Sequence, residues 1–138
     1  MASHAYQRDG KLSGLATALR DLDNKMGGLQ KSDLIILAGR PGMGKSSLAT
    51  NIAYNVARAW RGDVQADGQI ATVNGGRVGL FSLEMSAEQL ATRILSEQTE
   101  ISSSKIRRGE ITQADFEVIK DKSIEIQHLP LLDRKSVV

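Results

Sequence analysis

Gly39-Arg40-Pro41-Gly42-Met43-Gly44-Lys45-Ser46 completes the pattern G-x-x-x-x-G-K-[ST], between the apolar run Leu34-Ile35-Ile36-Leu37-Ala38 and a stretch with helical periodicity. At average residue usage such a match arises by chance in a chain this long with odds on the order of one in 200. An ordinary Gly-rich turn with a solvated lysine is therefore the weaker reading. A short, continuous apolar run of this kind predicts a strand buried on both faces of a parallel sheet. Successive backbone N–H groups of the loop, with the N-terminus of a helix starting near Lys45, converge on one spot and suit a diphosphate. Lys45 would reach the β- and γ-phosphates, and the Ser46 hydroxyl would ligate Mg²⁺, a hard cation that prefers oxygen. The expected ligand is a nucleoside triphosphate.

Upstream, Leu15, Leu19, Leu22 and Met26 recur at near-helical spacing and are followed by Gly27-Gly28, which would stop a helix. Downstream, Leu48, Ala49, Ile52, Ala53, Val56, Ala59 and Trp60 form one apolar face of the helix after the loop. Arg58 and Arg61 are expected in its last turn, opposing the negative end of the dipole, with Gly62 as the terminating residue. The Gly-rich stretch 62–76 alternates weakly and ends in Asn74-Gly75-Gly76, which predicts a surface excursion with a small hairpin. Val78-Gly79-Leu80-Phe81-Ser82-Leu83 reads as a second buried strand. Ser86 with Gln89 is a capping box for a helix carrying Leu90, Ile94 and Leu95. Ser102 to Arg108 predicts a short helix closed by Gly109, and Thr112 with Asp115 opens a longer one carrying Phe116, Ile119 and Ile126. Leu129-Pro130-Leu131-Leu132-Asp133 can begin a third strand, with proline tolerable at its first positions or on an edge. Strands alternating with helices give an α/β fold.

Composition sets looser bounds. A length of 138 residues supports one domain, and 41% hydrophobic with 25% charged residues is an ordinary globular balance. A net charge of +2 is too small to argue for nucleic acid or an acidic membrane surface. The absence of cysteine excludes disulfides and thiolate metal sites. No signal-peptide core and no membrane-length apolar run occur, so a soluble cytoplasmic protein is the simplest expectation. Residues 1–11 are polar and aperiodic and read as a linker remnant.

Glu84, in Phe81-Ser82-Leu83-Glu84-Met85-Ser86, is the second chemical candidate. It follows a strand's carboxyl end, the edge at which open parallel sheets bind ligands. A carboxylate there could orient and deprotonate the water that attacks a γ-phosphate. Taken alone, the stronger reading is a charge that complements the dipole of the next helix. Arg93 and the cluster Lys105, Arg107 and Arg108 read first as solvated surface, with a phosphate or nucleic-acid contact as the alternative. His4 and His128 have no partner at ligand spacing.

The loop with its preceding strand, the string Phe81-Ser82-Leu83-Glu84-Met85-Ser86-Ala87-Glu88-Gln89-Leu90 with Arg93, the entry Leu22-Asp23 and Gly27-Gly28-Leu29, and Lys105-Ile106-Arg107-Arg108-Gly109 together resemble the RecA-like motor domain of DnaB-type replicative DNA helicases. The resemblance runs from about Leu12 to Leu131. It implies a RecA-like P-loop NTPase fold with a parallel sheet, and a ring-shaped homo-hexamer that hydrolyses ATP at subunit interfaces and moves along single-stranded DNA. It gives Glu84 and Lys45 the catalytic roles, which reverses the reading of Glu84 taken alone. Gly39, Arg40, Pro41, Gly42, Met43, Gly44, Lys45, Ser46 and Ser47 become the ATP contacts, with Ser46 on Mg²⁺.

The chain departs from the family's pattern at Ala18, where glycine is usual, and at Ser46, where threonine is commoner and the hydroxyl is kept. Leu132-Asp133-Arg134-Lys135-Ser136-Val137-Val138 does not resemble the family's continuation. The Walker B strand, the DNA-contacting loops, the arginine finger and the amino-terminal collar domain are not recognisable. The expectation is a partial motor domain over residues 12–138, incomplete at its C-terminus and not competent alone. The alternative is a nucleotide-binding interaction module without turnover, and a small nucleotide kinase is a distant third.

Overall fold

In the computed structural model, which describes residues 12–135, the chain forms two compact units, Met1–Val78 and Gly79–Val138. The 1–11 segment read as a linker remnant and residues 136–138 lie outside the described residues.

The first unit opens with a closed loop built around the short helix α1, Arg20–Met26. The helical spacing that begins at Leu15 does not become one helix. Leu15 and Leu29 instead form an antiparallel bridge, with N–H to carbonyl distances of 2.8 and 2.7 Å in the two directions. Gly14 donates to the Gly27 carbonyl at 2.9 Å. Backbones this close leave no room for side chains: a Cβ on Gly28, whose φ is 84°, would lie 2.7 Å from the Gly14 carbonyl carbon. Gly27 ends α1 in the left-handed conformation, as its position predicts.

Inside this loop Thr17 and Asp23 are both buried. The Asp23 carboxylate accepts from the Thr17 N–H at 2.9 Å, the Thr17 hydroxyl at 2.7 Å and the Ala18 N–H at 3.1 Å. The Thr17 carbonyl in turn accepts from the Asn55 amide at 3.0 Å, which ties the loop to the second helix, α2 (Lys45–Arg58).

Leu34 to Ala38 corrects the first expectation. Residues 33–40 carry no ladder, and no described strand pairs with them. Leu34 and Ile36 are 87% and 81% exposed, so the run is not the doubly buried strand its composition predicts. An apolar run becomes a buried strand only when neighbouring strands and covering layers are supplied, and the strands of this unit pair with each other instead.

The helix after the loop is present, but its buried stripe lies a step away from the expected one. Thr50, Ala53, Tyr54, Val56 and Ala57 are buried, whereas Ala49 and Ala59 are exposed. The stripe follows Tyr54, the large side chain packed inside at 1% exposure, and not the simple run of aliphatics. The helix ends at Arg58 with Ala59 as cap, so Arg61 and Gly62 do not close it. They open strand β1, Arg61–Val64, which pairs antiparallel with β2, Ile70–Asn74, in the expected hairpin. The hairpin turn is closed by Gln65 donating to the Gln69 carbonyl at 2.7 Å. Trp60 braces the hairpin through Nε1 to the Thr72 hydroxyl at 3.3 Å, and the Arg77 guanidinium lies 5.1 Å from the centre of its ring.

The second unit starts from β3, Val78–Ser82, which pairs in parallel with β4, Leu131–Lys135, across a helical crossover. Pro130 stands just before β4, where it removes no ladder donor. β3 is not fully buried, since Phe81 is 73% exposed. The crossover contains α3 (Ala87–Thr99), α4 (Ser103–Arg108) and α5 (Gln113–Gln127). Both expected capping boxes are present, Ser86 with Gln89 on α3 and Thr112 with Asp115 on α5, and Gly109 closes α4 with a φ of 69°. Leu90 and Ile94 of α3 are buried, and α3 packs against α4, α5 and β4. Of the expected α5 stripe, Ile119 and Ile126 are half-buried and Phe116 is exposed.

Candidate nucleotide-binding site

Residues 39 to 44 form an exposed turn that runs into the N-terminus of α2, with Gly44 as the residue before the first helical position. Gly42 and Gly44 have φ values of 76° and 90°, and a Cβ built on either would meet nothing within 4 Å. That conformation explains glycine at these positions, and it leaves the concave side of the loop open. The open side fits a phosphate group, because it adjoins the unpaired N–H groups that begin a 14-residue helix.

Lys45 fastens the loop. Its ammonium donates to the Gly39 carbonyl at 2.6 Å and to the Arg40 carbonyl at 3.0 Å. The Met43 N–H donates to the Arg40 carbonyl at 3.3 Å, and Leu48 closes the first helical turn onto Gly44 at 2.9 Å. Lys45, Ser46 and Ser47 are half-buried, while Gly39 to Gly44 are exposed. The loop and the first turn of α2 bring together the sequence-expected phosphate contacts: six backbone positions before the helix, the Lys45 ammonium on the Gly39 and Arg40 carbonyls, and two hydroxyls at the helix start. The oxygen of Ser46 is the donor type a nucleotide-bound Mg²⁺ prefers.

Glu84 is carried by the second unit, just past β3. Its side chain is exposed. The Ser82 hydroxyl accepts from the Glu84 N–H at 3.3 Å and from the Met85 N–H at 3.0 Å, and the Ser86 cap fixes the other end of the turn. Arg93 is half-buried on α3, where its charge acts on Glu97 one turn later. Burial raises the Glu97 carboxyl and Arg93 partly offsets it. In the basic cluster Lys105, Arg107 and Arg108 are exposed, and Arg108 pairs with Glu110 at 3.3 Å. That geometry favours a solvated face.

The Thr17–Asp23–Asn55 network is the part of the molecule that sequence reasoning missed. Asp23 appeared only as one letter of the family resemblance. The signal was an acidic residue surrounded by apolar helix positions, a residue type that is almost never buried unless partnered.

The chain's sequence matches the model of the DnaB-like helicase C terminal domain over residues 14–137. It is 40% identical to the replicative DNA helicase DnaB of Rickettsia typhi over 126 residues, 91% of this chain and 24% of the relative. With the DnaB of Geobacillus stearothermophilus it shares 40% identity over 111 residues, 80% of this chain and 21% of the relative. The chain therefore spans about a quarter of the length of the curated relatives it matches. Among solved structures, an ATPase domain superposes with a TM-score of 0.78 at 22% identity, covering 97% of this chain and 43% of that one. The fold is RecA-like, represented here by part of it. No described helix is long and apolar enough to cross a membrane. The chain belongs to the DnaB-like helicase C-terminal domain family.

Proposed function

We propose that this chain is the ATP-binding part of a replicative DNA helicase motor, one that couples ATP hydrolysis to movement along single-stranded DNA as a cytoplasmic homo-hexamer. The observation that carries the reading is the open loop Gly39 to Ser46 at the start of a 14-residue helix, with Lys45 fastened across it. Gly39, Arg40, Pro41, Gly42, Met43, Gly44, Lys45, Ser46 and Ser47 are assigned to the triphosphate. Loop N–H groups bind its oxygens, Lys45 offsets their charge, and Ser46 is the residue that would hold Mg²⁺. The metal, when bound, neutralises charge on the phosphate oxygens. Glu84 is the carboxylate assigned to take the proton of the attacking water. Residues 12–138 are assigned to the motor domain and 1–11 to a linker.

The test is titration calorimetry with ATP and Mg²⁺. Lys45→Ala is expected to weaken binding about tenfold or more, the loss of one charge-assisted contact. Equal affinity in the two proteins would remove the loop from the reading. Glu84→Gln is nearly isosteric and is expected to leave affinity unchanged, because a proton acceptor acts on the reaction and not on ground-state binding. A large loss of affinity would reassign Glu84 to binding.

A further inference from the structure

We propose that Ser82 is a positioning residue for Glu84, holding the carboxylate at its working place through the backbone. Between the last residue of β3 and the start of α3 the chain has only four residues, Leu83 to Ser86. Both ends of that turn are clamped by a serine hydroxyl. Ser86 accepts the Gln89 N–H at 3.2 Å and starts the helix. Ser82 accepts two consecutive N–H groups, Glu84 at 3.3 Å and Met85 at 3.0 Å. A single oxygen that receives both amides holds the two peptide planes on either side of the Glu84 Cα, and with them the direction in which the Glu84 Cα–Cβ bond leaves the chain. The carboxylate itself is exposed, so within this turn the backbone has the task of aiming it. Small errors in aim are costly for a group that must meet a bound water.

The proposal rests on the reading of Glu84 as the proton acceptor, and two measurements separate its failure from the failure of that reading. The first is amide hydrogen exchange on this chain. In Ser82→Ala the Glu84 and Met85 amides are expected to exchange about tenfold faster, and Ser82→Thr, which keeps the acceptor oxygen, is expected to restore protection. Unchanged exchange in Ser82→Ala would overturn the proposal at its geometric root. The second is ATP hydrolysis by the Geobacillus stearothermophilus relative carrying residues 78–90 of this chain in place of its own. Ser82→Ala is expected to lower kcat about tenfold while leaving KM within about twofold, with recovery in Ser82→Thr. A general loss of folding would also lower apparent kcat while sparing KM, so rates are scaled to the folded fraction seen by circular dichroism, and a kcat that becomes normal after this scaling overturns the proposal. If Ser82→Ala leaves kcat unchanged while Glu84→Gln abolishes it, Ser82 is structural only and the proposal falls. If Glu84→Gln leaves kcat unchanged, the assignment of Glu84 falls and takes the proposal with it.

Discussion

Ala18 holds a φ of 65°, the left-handed region in which a Cβ crowds the following carbonyl. It is held there because its N–H is committed to the Asp23 carboxylate at 3.1 Å while Thr17, beside it, is wholly buried. A left-handed φ is a physical reason for glycine at this place, the residue the family resemblance leads one to expect. Replacing Ala18 with glycine removes the steric cost and is expected to raise stability by about 1 kcal/mol, less some loss from the more flexible unfolded chain. The midpoint of urea unfolding should move upward with an unchanged slope, and a downward shift would show that the left-handed conformation carries no strain here. At this scale the backbone of the loop is legible in sequence. Gly42, Gly44 and Lys45 are read from a motif whose members act through local backbone geometry. Asp23 was not, because its partners lie five and six residues before it and its neighbour through Thr17, Asn55, lies 38 residues from Thr17.

Among elements, the closed loop around α1 is tied to the helix α2 by the Asn55 amide on the Thr17 carbonyl, and among the described residues the buried apolar side chains of the first unit, Ala53, Tyr54, Val56 and Ala57, all lie on α2. Asp23 holds Thr17, the loop residue that receives this bond. Burial would raise its carboxyl, but the Thr17 N–H, the Thr17 hydroxyl and the Ala18 N–H outweigh burial and hold it below its ordinary value of 3.8. Its folded value is thus lower than its unfolded one. The stabilisation it supplies is complete above the unfolded value and is lost as pH falls through the folded one. Asp23→Asn places an amide where the Ala18 N–H needs an acceptor, or else loses the paired contact with Thr17, and is expected to cost about 1 to 3 kcal/mol at pH 7. The penalty should shrink when unfolding is measured at pH 3 and below. A penalty independent of pH would mean that shape, not charge, is what Asp23 contributes. Caps were legible at this scale, Ser86 with Gln89 and Thr112 with Asp115, because they are encoded within four residues. The extent of α1 is not legible in this way, because Leu15 is taken by a bridge to Leu29, and the stripe of α2 differs from the expected one in burying Thr50 and Tyr54.

At the scale of the whole molecule the apolar run before the loop sets the expectation. Leu34, Ile35, Ile36 and Leu37 are 87%, 50%, 81% and 46% exposed, and no described strand supplies their backbone with a ladder. Composition alone, β-rich, uncharged and bounded by Asp33 and Gly39, places this run in a sheet interior, and the structure does not put it there. What composition could not supply is the pairing, which depends on strands that these residues do not themselves specify. Unpaired N–H and carbonyl groups beside exposed isoleucine and leucine are a template for intermolecular strand addition. A polypeptide of these 138 residues is therefore expected to self-associate as its concentration rises. Ile36→Lys puts a charge at one of the most exposed positions of the run, where any added strand would have to desolvate it. It is expected to lower the mass-average molecular weight seen by light scattering without changing the far-ultraviolet circular dichroism spectrum or the affinity for ATP, since the substitution lies outside the Gly39 to Ser47 contacts. Unchanged self-association in Ile36→Lys would place the sticky surface elsewhere, with Phe81 and Leu83, at 73% and 81% exposure beside the β3 turn, as the next positions to charge.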